Sequence, residues 1–268
     1  MHREQITTLE VLSQAASGKK ARPTPLLFVH GAYTAAWCWQ EHYLSFFAEA
    51  GYSSYAVSLS GHGGSRGRHH LDSISITDYA KDVREVVKSL PTPPVLIGHS
   101  MGGFVVQKYL ERHQMPGAVL MCSVPPQGLM ASAMGLLFSK PTLMTDLNSI
   151  MAGSNASMET LRESLFAQPV AVDDLERYYR LSQRESHRAI WDMTLFNLPS
   201  VSRVKETPLL VQGAEFDHLI SASLVEMTAR SYGVEAHIFP NMGHGLMLER
   251  DWKKPAQQIL DWLLEQDL

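Results

Sequence analysis

The stretch Pro94–Leu110, PVLIGHSMGGFVVQKYL, decides the fold. Val95–Ile97 is a short apolar run that reads as a buried strand, and Phe104–Leu110 carries apolar residues at helical spacing. Between them stands Gly98-His99-Ser100-Met101-Gly102, followed by Gly103. This is the G-x-S-x-G pattern of a sharp strand-to-helix turn that presents a serine hydroxyl. A serine held on such a turn needs small neighbours two residues before and two after, because bulk there collides with strand or helix. The helix that follows aims its N-terminus, with its partial positive charge, at the place where an oxyanion would develop. The pattern alone is common by chance; its strand–turn–helix setting makes it specific.

The rest of the chain alternates in the same way. Leu26–His30, Ser54–Leu59, Pro94–Gly98, Ala118–Cys122, Pro208–Gly213 and Glu235–Phe239 read as strands. Ile76–Leu90, Gly102–His113, Ser221–Tyr232 and Lys254–Leu264 read as amphipathic helices. The alternation predicts an α/β fold with a mostly parallel central sheet and helices on both faces. Residues 127–203 break it: four short helices are expected there, over Leu136–Met151 (interrupted by Pro141), Met158–Ala167, Asp173–Gln183 and His187–Phe196. The expected organisation is a core of residues 1–126 and 204–268 with a helical lid, 127–203, over the C-terminal edge of the sheet, where ligands bind in such folds.

Three further segments follow strands. His30-Gly31-Ala32 ends the first central strand, where a serine nucleophile needs a second backbone donor; Ala32 N–H, with Met101 N–H, is the expected oxyanion hole. His30 itself reads as structural. Gly213-Ala214-Glu215-Phe216-Asp217-His218 offers a carboxylate to orient an imidazole, with Asp217 preferred over Glu215. The absence of any Asp or Glu between Gly117 and Thr145 argues against an acid after the preceding strand. Asn241-Met242-Gly243-His244-Gly245 supplies the general base, and the chain order Ser100, Asp217, His244 is that expected for this architecture.

Other features read blandly. Gly61-His62-Gly63-Gly64-Ser65 is a tight turn rather than a phosphate cradle, His69-His70 is solvated, and Cys38 and Cys122 are packing residues. A net charge of −4 over 268 residues gives no footprint for nucleic acid or an anionic membrane surface, and two cysteines make no disulfide scaffold. Met1–Lys20 is polar with no apolar signal core, and no apolar run reaches the ~18 residues of a membrane span. The expectation is a soluble cytoplasmic protein, with homo-oligomerisation left open. Six of the 13 methionines fall within 127–203, which suggests an adaptable apolar pocket. Tyr33, Met130, Met134, Phe138, Trp191 and Leu219 are the expected pocket residues.

Together HGA at 30–32, GHSMGG at 98–103, Asp217 and GHG at 243–245 resemble the α/β-hydrolase superfamily, from Leu26 to Leu264. Val29–Trp39, VHGAYTAAWCW, looks like the branch containing plant methyl esterases and hydroxynitrile lyases. The lyases carry a lysine directly after the catalytic histidine; Gly245 stands there in this chain, which argues against lyase chemistry. Ser100 likewise excludes the aspartate mechanism of the superfamily's dehalogenases and epoxide hydrolases. The resemblance implies ester-type hydrolysis by a Ser-His-Asp triad without cofactor or metal; with the apolar lid, the expected substrate is a carboxylic ester, small to medium and mostly apolar. The alternatives are other reactions of the same triad (C–C bond hydrolysis, lactone opening, thioester cleavage, perhydrolysis) and, in a different class, a non-catalytic ligand receptor.

Overall fold

The computed structural model describes residues 8–17, 21–130, 132–134, 140–151, 157–204 and 206–268. Its centre is a seven-stranded sheet: β1 (Val11–Gln14), β2 (Leu26–Val29), β3 (Ser54–Val57), β4 (Val95–His99), β5 (Ala118–Met121), β6 (Leu209–Ala214) and β7 (Ala236–Phe239), in spatial order β1-β3-β2-β4-β5-β6-β7. Six strands are parallel, as expected. The exception is β1, an antiparallel edge strand paired with β3 through Val11↔Val57 and Gln14↔Ser54. The sequence reading left Met1–Lys20 without a strand. Its mostly exposed residues, VLSQ, give no apolar signal because β1 is bound by backbone pairing at the sheet edge.

The strands alternate between two cores. Leu27, Val29, Leu96, Ala118 and Leu120 face one side; Leu26, Phe28, Val95, Ile97, Val119 and Met121 face the other. The first side is covered by α3 (Ile76–Ser89), α4 (Met101–Leu110) and α9 (Ala222–Tyr232). The second is covered by α1 (Trp37–Gln40), α2 (Tyr43–Glu49) and α10 (Lys253–Glu265). Sequence periodicity missed α1 and α2, which bury an aromatic cluster of Trp39, Tyr43 and Phe47 around Phe28. A local signal fixes the start of α3: Ser75 Oγ accepts the Asp78 N–H at 3.1 Å while the Asp78 carboxylate accepts the Ser75 N–H at 3.1 Å.

A helical insertion runs from β5 to β6. It contains α5 (Pro141–Met151), α6 (Met158–Leu165), α7 (Val172–Leu181) and α8 (His187–Trp191), continued by a π-helical turn at Asp192–Phe196. Pro141, expected to interrupt a helix, instead opens α5, where the missing N–H costs nothing. Among the described residues no helix is long and apolar enough to cross a membrane.

Candidate active site

The candidate residues collect at the C-terminal ends of β2, β4, β6 and β7. Ser100, at the junction of β4 and α4, has φ 53° and ψ −118°, a left-handed conformation that a side chain rarely adopts. The turn is this tight because the chain closes on itself. A Cβ on Gly98 would sit 2.6 Å from the Gly102 carbonyl oxygen, and one on Gly102 would sit 2.5 Å from the His30 oxygen. The strain is held by Ser100 N–H donating to Met121 O (3.0 Å) and by Phe104 and Val124 N–H donating to Ser100 O (both 3.2 Å).

Asp217 and His244 meet as a buried pair. His244 Nδ1–H donates to Asp217 Oδ2 at 2.7 Å, and Asp217 Oδ1 accepts the N–H groups of Leu219 and Ile220, both at 2.8 Å. The carboxylate is thereby fixed in rotation, and Nε2 of His244 is left as the imidazole's available base. Glu215 is not in this arrangement; its carboxylate accepts the Asn241 N–H at 2.9 Å on the exposed side.

His99, the residue before Ser100, connects the elbow to the His244 loop. Its Nε2–H donates to the His244 carbonyl at 2.8 Å, and the two rings lie 4.7 Å apart. Burial, with His244 beside it, pulls the His99 pKa well below the ordinary histidine value, so this ring is a neutral strut. On the other flank, Gly31 packs so closely that a Cβ there would lie 3.1 Å from the Ser100 Cβ. That brings the Ala32 loop beside the elbow, while Met101 N–H is a first-turn donor without an intrahelical acceptor. His30 is structural, as expected: Nδ1–H donates to Gly31 O at 2.8 Å, Nε2 accepts Leu59 N–H at 3.0 Å, and burial lowers its pKa to about 3.

The expected pocket residues divide. Tyr33, with φ 64°, and Leu219 are partly buried beside the Ala32 and Asp217 loops. Met130, Met134 and Trp191 face solvent, at 45%, 58% and 53% exposure, so they do not line a closed site. Phe138 lies outside the described residues. A cleft of about 370 Å³ opens between the insertion and the Asp217 loop, lined by Lys140, Glu159, Arg162, Glu163, Phe166, Ala167, Phe216 and His218. Neither Ser100 nor His244 reaches it.

Two features were read as packing or turn and are more than that. Cys122, with φ 43° at the end of β5, places Sγ within 4.8 Å of the facing Asp217 and His244 atoms. Burial and the Asp217 carboxylate hold its thiol protonated, with a pKa well above the ordinary value. His62, in the glycine-rich turn, forms a buried pair with Glu185 of the insertion (Nε2–Oε2 3.1 Å). Glu185 Oε1 also accepts Tyr79 O–H (2.6 Å) and Ser186 N–H (2.7 Å). Nothing in a G-H-G-G-S run signals a partner 123 residues away.

The family model described as "Alpha/beta hydrolase family" matches residues 26–257. Protein phosphatase methylesterase 1 from Bos taurus is 27% identical over 157 residues, 53% of this chain and 41% of that protein. The chain thus matches about two fifths of that relative's length. Monoacylglycerol lipase from Mycolicibacterium smegmatis is 25% identical over 234 residues, 83% of this chain and 82% of that protein. Among solved structures, an esterase from Exiguobacterium antarcticum superposes with a TM-score of 0.73 at 20% identity, covering 95% of each chain. A serine elbow at the end of β4, a histidine–carboxylate pair after β6 and β7, and a family match spanning all six parallel strands lead to one assignment: the chain belongs to the alpha/beta hydrolase family.

Proposed function

We propose that the protein hydrolyses carboxylic esters through an acyl-enzyme formed on Ser100. The observation that carries the reading is the His244–Asp217 bond of 2.7 Å, in a loop tied at 2.8 Å to the residue preceding Ser100. Ser100 Oγ attacks the ester carbonyl carbon while His244 Nε2 takes its proton. The oxyanion is received by the N–H groups of Ala32 and Met101. Collapse expels the alcohol, which leaves with the proton from Nε2. Water then attacks the acyl carbon, gives its proton to Nε2, and the acid departs as Oγ is reprotonated. Asp217 holds the imidazole with Nδ1–H inward and stabilises its charged form.

The ester specificity is supported by the methylesterase and lipase relatives. We take the substrate to be small to medium and mostly apolar, with the insertion (127–203) acting as a cap on the core (1–126 and 204–268). A panel of p-nitrophenyl esters from acetyl to octanoyl tests both points. Ser100→Ala should lose turnover by at least about a thousandfold on every ester that the wild type cleaves. Undiminished activity in that variant refutes the mechanism.

A further inference from the structure

The loop that carries His244 is not completed by its own residues. Glu249, five residues on and 1% exposed, turns its carboxylate back under the loop and binds three backbone N–H groups. Oε1 accepts Gly243 N–H at 2.8 Å, directly before His244, and Ala167 N–H at 2.7 Å, from the insertion. Oε2 accepts Gln168 N–H at 3.2 Å. Around this anion run two more connections between the same segments: Gly245 N–H donates to Leu165 O at 2.7 Å, and Asp251 N–H donates to Gln168 Oε1 at 3.0 Å. Both residues flanking His244 are therefore bonded across to Leu165–Gln168 or to the carboxylate that binds it. The approach leaves no slack: a Cβ on Gly243 would lie 2.8 Å from Ala167 N and 2.9 Å from Leu165 O.

A buried carboxylate without a cationic partner is costly unless donors surround it, and these three are backbone donors from two different parts of the fold. Lifting the Leu165–Gln168 segment away would strip Glu249 of two of them and free Gly245 N–H. We propose that Glu249 is a positioning residue, which makes the placement of the His244 imidazole conditional on the seating of Leu165–Gln168. The insertion, on this view, completes the base as well as covering the site. The proposal rests on the reading of His244 as the general base.

The test compares the full-length wild type with Glu249→Ala and Glu249→Gln. Two readouts are taken: kcat and KM on p-nitrophenyl butyrate, and the downfield proton resonance of His244 Nδ1–H bonded to Asp217. Glu249→Ala should lower kcat about tenfold or more, because a small displacement of a catalytic group is expensive. KM should stay within about twofold, and the downfield resonance should broaden or vanish. Glu249→Gln retains an oxygen for Gly243 and Ala167 N–H, and should recover most of the resonance and the turnover. A folded Glu249→Ala variant with wild-type kcat and resonance overturns the proposal, as does a rise in KM at unchanged kcat. Should Glu249→Ala fail to fold, Glu249→Asp decides, because its shorter side chain withdraws the carboxylate from Gly243 and Ala167 N–H: a several-fold lower kcat at unchanged KM supports the proposal, and wild-type kcat and resonance overturn it. If the wild type cleaves no ester yet shows the resonance that Glu249→Ala loses, the ester reading fails while the positioning role stands.

Discussion

Gly102→Ala tests whether the serine elbow is built by close backbone approach. The added Cβ would lie 2.5 Å from the His30 carbonyl oxygen and closer still to that of Val29. Ordinary contact begins near 3.4 Å, so α4 and the end of β2 must part by about 0.9 Å or more. Neither obstacle can swing aside, because both are main-chain oxygens at the end of a central strand paired on both sides. Overpacking of this kind costs ~3 kcal/mol, at the upper end of the usual range. For a chain of this size that lowers Tm by roughly 6 °C. The larger effect is on activity, since the displacement separates the Met101 N–H on α4 from the Ala32 N–H after β2. A shift near 1 Å at a catalytic group costs on the order of a hundredfold in kcat/KM. Gly233→Ala is the control: it also places a methyl on a glycine, at φ 70°, but no atom lies within 4 Å. It should cost ~1 kcal/mol for the left-handed backbone and leave kcat/KM unchanged. Thermal unfolding and p-nitrophenyl acetate turnover measure both variants. A Gly102→Ala protein with wild-type Tm and kcat/KM would refute the steric account of the elbow.

Three further outcomes concern the two buried histidine–carboxylate pairs. In Asp217→Asn the amide oxygen remains with the Leu219 and Ile220 N–H groups, so the NH₂ faces His244 Nδ1 and forces the proton onto Nε2. Activity should fall by about 10⁴-fold with the fold intact, and turnover within tenfold of wild type would count against the tautomer argument. The His62–Glu185 pair gives a pH signature. Burial opposes both charges, yet His62 and its neighbouring donors draw Glu185 below its ordinary 4.5, and Glu185 with the Ser60 carbonyl lifts His62 above its ordinary 6.5. The contribution of Glu185 is present above pH 4.5 and lost as pH falls through its lowered pKa. That of His62 is present below pH 6.5 and lost as pH rises through its raised pKa. Wild-type Tm should therefore decline on the alkaline side more steeply than that of the His62→Gln, Glu185→Gln double variant; parallel curves would dismiss the pair as a titrating element. Glu185→Gln alone should cost ~3–5 kcal/mol, because it strands a buried partner.

Much of the core was legible because its strands are bounded by turn-forming residues and carry apolar runs that two-sided burial demands. The candidates Ser100, Asp217 and His244 could be picked out because each lies within five residues of the end of such a run. β1 was illegible because an edge strand held by backbone pairing needs no apolar pattern. Met130, Met134 and Trp191 were chosen for size and polarity within a helical region. Those properties cannot tell the inner face of a short helix from its outer face. His99, Glu249 and the His62–Glu185 pair were missed for a different reason. Their partners are backbone atoms or residues over a hundred positions away, and hydrogen bonds of that kind leave no periodicity.

The seam between insertion and His244 loop has a consequence for how this chain can vary. On the insertion side it is made by Leu165 O, Ala167 N and Gln168 N, with Gln168 Oε1 the sole side-chain atom among those named. Main-chain atoms are present whatever residue occupies a position. Leu165 and Ala167 could thus be exchanged, and the helices around them rebuilt, without erasing the grip on the base, provided the backbone path is kept. Under the proposed function, with the insertion as cap and His244 as base, substrate preference and catalytic competence become separately adjustable, the first through the insertion's side chains and the second through its main-chain trace. A library that randomises side chains there while sparing Gln168 and Glu249 should change selectivity more readily than it abolishes turnover.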